Sequence, residues 1–156
     1  VSALWSVAPG IALRRAVLAW HHTTRNGCAA FVSTALRNVG IDLPLDRRIE
    51  GLNPSRITLG LAMFLRDAGW QRIDDPDALA PGDVVFSVDD PCCAGFPAHV
   101  FLFAGWDGAA GRRHRIARVI DNQGFRHPRP LADRDGPASP FAYALRAPDD
   151  LRAAPW

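Results

Sequence analysis

The sequence contains no lysine: all 18 basic residues are arginine, set against 16 acidic residues for a formal charge of +2. So small an imbalance excludes a strongly basic surface, and with it nucleic acid or an anionic membrane as the main partner. No uninterrupted apolar run reaches the roughly 18 residues that a membrane-spanning helix needs. The stretch VSALWSVAPGIALRRAVLAW sets Arg14 and Arg15 among its apolar residues and does not read as a signal peptide. Three cysteines, Cys28, Cys92 and Cys93, are too few for a disulfide scaffold and leave at least one thiol outside any intrachain pair. The paired C-x-x-C spacing of a closed zinc site is missing, so neither a metal nor another cofactor is expected. There is no internal repeat.

What is present suits a folded protein. A chain of 156 residues with 48% apolar and 22% charged residues predicts one domain spanning 1–156, with a single sizeable core. Periodicity predicts a first helix over roughly 10–21, in which Ile11, Val17 and Leu18 lie near one another and Arg14 and Arg15 face water. A second begins at Cys28, with Val32, Ala35, Leu36 and Val39 on its buried face and Gly40 as its C-terminal cap. A third covers roughly 55–68, with Ser55 as N-cap, Ile57, Leu61, Phe64 and Leu65 as its core stripe, and Gly69 at its end.

After residue 75 strands replace helices. APGDVVFSV, AHVFLFAGW, RIARVIDNQ and PFAYALRA read as four strands, DGAAG as a flexible turn, and the proline-rich RHPRPLADRDGPASP as a loop-like insertion. Helices followed by strands with short links predict an α+β fold, N-terminal helices packed on an antiparallel sheet of four or more strands.

Within NGCAAFVSTALRNVG, Cys28 opens a helix, where unsatisfied N–H groups and the helix dipole favour a thiolate over the thiol's ordinary pKa of about 8.5. An isolated cysteine is more often a small core residue. His99 alters that weighting, because a histidine opening an otherwise apolar strand suits a general base. VIDNQG then gathers Asp121, Asn122 and Gln123 at the rim of the next strand, where a side-chain oxygen can orient the imidazole.

Taken in order, NGCAAFVSTALRNVGIDLP, LAPGDVVFS, AHVFLFAGW and VIDNQG resemble the NlpC-type cell-wall cysteine peptidases and their CHAP amidase relatives, over roughly residues 26–123. The resemblance implies a papain-like fold and a bacterial thiol hydrolase, periplasmic or secreted, acting on an amide bond of peptidoglycan peptides. It makes Cys28 the nucleophile, His99 the base and Asp121 the orienting residue, with Asn122 and Gln123 as alternatives. Two departures from the family pattern touch the oxyanion hole and substrate subsite. Gly27-Cys28-Ala29 replaces the usual Asp-Cys-Ser, and WHHTTRN stands where a tyrosine is common. His22 and Asn26 are then candidates for a further polar contact beside the backbone N–H of Cys28. The alternatives are a catalytically silent binding module of the same fold, an acyltransferase and an interbacterial toxin. Cys92 and Cys93 admit a vicinal disulfide, an interchain pair or two thiols, and His114 and His127, in arginine-rich loops, read as solvated.

Overall fold

A computed structural model describes residues 7–88, 97–131 and 139–149, with side chains from residue 11 onward. Cys92 and Cys93 lie outside the described residues. Three helices lead: α1 (Val7–His21), α2 (Cys28–Asn38) and α3 (Thr58–Asp67). The first starts earlier than its apolar period suggests, taking in Pro9 and Gly10. Proline is tolerated in a first turn, whose N–H groups have no intrahelical partner. Its buried stripe is Leu13 and Val17, while Ile11 and Leu18 are exposed. The helix carries two apolar faces, and packing against α2 selects between them.

The second helix is buried over most of its circumference, from Cys28 to Leu36. Small residues at 29, 30 and 35 let α1, α3 and the sheet approach it. Its C-terminus closes in a Schellman motif, with Gly40 at φ 93° donating to Arg37 O and Ile41 to Leu36 O, both at 3.0 Å. Trp20 fastens α1 to α2 through a 3.0 Å hydrogen bond from Nε1 to Thr34 Oγ1, and the Arg37 guanidinium lies over its ring.

The third helix begins at Thr58, and Ser55 does not cap it. Ser55 is fully buried before the helix. Its hydroxyl donates to Pro44 O at 2.7 Å and accepts from Arg37 Nη1 at 2.8 Å, and its carbonyl accepts from Ser33 Oγ. A serine ahead of an apolar period reads as a cap, but these longer-range partners take the hydroxyl. Leu61 and Leu65 are buried as the stripe predicts; Ile57 is exposed.

Among the described residues the sheet has six strands, all pairs antiparallel: β1 (Gln71–Ile73), β2 (Val84–Ser87), β3 (His99–Trp106), β4 (Ile116–Asp121), β5 (Gly124–Pro130) and β6 (Phe141–Arg146). Their spatial order is β1-β6-β2-β3-β4-β5. Two elements replace expected loops. DGAAG forms most of a short helix, α4 (Gly108–Arg113), and RHPRP belongs to β5. Proline cannot donate to a ladder, but β5 is an edge strand with one side unpaired, so Pro128 and Pro130 fit there.

Val84, Phe86, Val100, Leu102 and Ile120 pack with the helices on one face of the sheet, while Val85, Phe101, Phe103, Val119 and Ala144 form a second cluster on the other. Asp83 of the PGD turn accepts two hydrogen bonds from Arg146 at 2.6 and 2.8 Å, pinning β6 beside β2. Among the described residues no helix is long and apolar enough to cross a membrane.

Candidate active site

Cys28 is the first residue of α2, and its residue surface is 9% exposed. The preceding Gly27 contributes no side-chain cap, so the helix's opening N–H groups are left for other acceptors. A side chain at 27 would crowd the bend, since an added Cβ meets His21 Cδ2 and Thr24 O at 3.3 Å each. Sγ lies 3.7 Å from the hydroxyl oxygen of Thr58, the residue that opens α3. Two helix starts therefore meet at one sulfur.

His99 and Asp121 lie at the same end of the neighbouring strands β3 and β4. His99 Nε2 donates to Asp121 Oδ2 at 2.9 Å, which leaves Nδ1 as the nitrogen for Cys28. Strand alternation places His99 in phase with Phe101, whose ring centroid is 6.0 Å away. As the first residue of the strand it sits at the rim, and its ring interacts with the Cys28 sulfur too.

The electrostatics follow from these contacts. Burial pushes the Cys28 thiol up, but the His99 imidazole, the Thr58 hydroxyl and the Val100 N–H all favour the thiolate, and the thiol ends below its ordinary value. Burial would lower His99, yet its bond to Asp121 and the adjoining Cys28 raise it to about 9, with Arg129 opposing. Asp121 is 1% exposed. Burial would raise its carboxyl; hydrogen bonds from His127, His99 and the Gln123 N–H instead hold it well below the usual carboxylate range. Each shift favours the charged form: thiolate on Cys28, imidazolium on His99 and carboxylate on Asp121.

No family model, curated protein or solved structure matches the chain. The chemistry of the site therefore rests on its own geometry.

The remaining residues singled out in the sequence fall in different places. Asn122 Nδ2 donates to Thr24 O at 3.0 Å, the same carbonyl that accepts from Gly27 N, so Asn122 ties the end of β4 to the loop that delivers Cys28. Gln123 is exposed and joins the site through its backbone N–H, which donates to Asp121 Oδ1 at 2.8 Å. His22 and Asn26 are exposed turn residues at φ 62° and 52°. The histidine beside the helix start is instead His21, which packs over Gly27 and has a buried, unpartnered Nδ1. Burial, then Arg56 and His22, hold it below the ordinary imidazole value.

His127 is not a solvated loop residue. Its Nε2 donates to Asp121 Oδ1 at 2.9 Å, and its side chain is 27% exposed. The bond depends on β5, which the prolines of RHPRP conceal from a strand reading. Thr58 was equally hidden, because a helix read from about residue 55 with Ser55 as its cap leaves Thr58 inside it and not at its start. Among the described residues no group of three or more His, Cys, Asp or Glu side chains is arranged to hold a metal ion.

Thr58 offers a direct check on the thiolate. Thr58→Val keeps the shape and removes the hydroxyl, so the onset of Cys28 alkylation by iodoacetamide should move to higher pH by about half a unit. An unmoved onset would show that the hydroxyl does not act on the sulfur.

Proposed function

We propose that the protein is a papain-like cysteine hydrolase that cleaves an amide bond in bacterial peptidoglycan peptides and works in the periplasm or outside the cell. The observation that supports this most is the convergence of Cys28, at a helix start, with a His99 ring held 2.9 Å from a buried Asp121. Nucleophile, acid–base group and orienting carboxylate are the three parts that acyl transfer through a thiol requires. Support for the substrate class is the ordered resemblance of four sequence elements to NlpC-type and CHAP enzymes.

The steps start from the thiolate–imidazolium pair that these contacts favour. The Cys28 thiolate attacks the amide carbonyl, and the oxyanion is received at the start of α2 by the Cys28 N–H. Imidazolium His99 gives its proton to the amine as the carbon–nitrogen bond breaks, leaving a thioester and a neutral ring. Neutral His99 then takes a proton from water, hydroxide adds to the thioester, and the carbon–sulfur bond breaks to restore the thiolate and imidazolium. Asp121 holds the ring and stabilises its charge throughout.

The test is to digest purified muropeptides with fully reduced protein and weigh the products. Two peptide fragments would identify an endopeptidase; a glycan and an intact stem peptide would identify an amidase. Intact muropeptides beside a Cys28 that still alkylates below the ordinary thiol range would overturn the assignment and favour a binding module.

A further inference from the structure

We infer that His127 is a positioning residue for the triad: with the β4–β5 turn it saturates one oxygen of Asp121 so that the other is aimed at His99. This extends the proposed hydrolase reading to a fourth side chain. Asp121 Oδ1 accepts three hydrogen bonds, from Gln123 N at 2.8 Å, Gly124 N at 3.3 Å and His127 Nε2 at 2.9 Å. Oδ2 accepts from His99 at 2.9 Å. Rotating the carboxylate would break several of these bonds at once, so its direction is fixed.

Two backbone features place the His127 ring. Arg126 takes φ 56°, beside a register shift between Val119 and Ile120 that leaves Val119 opposite His127 and Ile120 opposite Phe125. Gly124 then admits the ring closely, since a Cβ there would lie 3.1 Å from His127 Cδ2. A side chain at 124 would require the imidazole to give by a few tenths of an ångström. The bulge, the glycine and the histidine form one device that ends on a single oxygen atom.

The charged and titratable groups bearing on His99 are Cys28 from α2, Asp121 from β4 and Arg129 from β5, and those on Asp121 include His127. Of these, His127 touches Asp121 on the oxygen that His99 does not use. Its removal should act on His99 only through Asp121.

The experiment follows the His99 imidazole by NMR titration in the intact protein, without substrate. In His127→Ala its midpoint should fall by about one unit, because a carboxylate held on Oδ1 by two backbone N–H groups alone is aimed less firmly at the imidazolium. His127→Gln, which can present an N–H near the Nε2 position, should restore it. His127→Phe, which keeps a ring over Gly124 but no donor, should behave like alanine. The double variant Asp121→Ala/His127→Ala should titrate like Asp121→Ala alone. An unmoved midpoint with a lowered melting temperature, or an additional shift in the double variant, would overturn the inference. The titration needs no turnover, so inert muropeptides would defeat the hydrolase reading and leave this one standing.

Discussion

Cys28→Ala is expected to lower amide cleavage by about 10⁴-fold or more, with little change in the fold. The first half of the expectation rests on chemistry: with the sulfur gone, His99, Asp121 and the helix start can still bind and polarise the substrate, but no thioester can form. The second half rests on packing. Cys28 is a small residue at 9% exposure, and alanine is the strongest helix former, so the loss should be about 1 kcal/mol. Turnover measured beside thermal unfolding separates the two. Full activity in the alanine variant would remove Cys28 from the mechanism.

Asp121→Ala should cost about 10³- to 10⁴-fold in kcat and several kcal/mol of stability together, which sets it apart from Cys28→Ala. Four hydrogen-bond donors converge on this buried carboxylate, from His99, His127 and two backbone amides. Its loss strands all of them and releases the ring that carries the proton.

The same contacts set the dependence of stability on pH. Asp121 is held below its unfolded value, so its contribution is present above about pH 4 and disappears as pH falls further. His99 is raised to about 9, so its contribution is complete below its ordinary value of about 6.5 and is lost as pH rises through about 9. Stability should therefore decline on both sides of a plateau, and Asp121→Asn should flatten both limbs. Urea midpoints across pH 2 to 10 measure this; identical limbs in the variant would show that Asp121 does not govern them.

Much of this arrangement was legible in the chain because single elements declared themselves. Gly40 and Gly69 marked two helix ends, and the valine and phenylalanine runs marked β2 and β3. Cys28, His99 and Asp121 drew attention because a cysteine, a histidine and a carboxylate stand at element ends in that order. What escaped were features decided between distant segments. Residues 71–73 make too short a strand to show a period of two, and they pair only with Leu145 and its neighbours. The β5 ladder is masked by prolines that only an edge position excuses. Ser55 resembles a cap until Pro44 and Arg37 claim its hydroxyl, and His127 resembles a surface histidine until a bulge turns it onto Asp121.

The strand order has a consequence for how the molecule is made. The last strand, Phe141–Arg146, lies between β1 and β2, so two strands that follow one another in the chain wait for a third to join them. On the ribosome, β2, β3, β4 and β5 can pair with their neighbours in sequence as they emerge, bringing His99 and Asp121 to the same rim. Until Arg146 leaves the exit tunnel, however, Asp83 lacks its cation and the Val84–Phe86 edge lacks its ladder. The His99–Asp121 pair can thus form early, while closure of the sheet is deferred to the final stretch of synthesis.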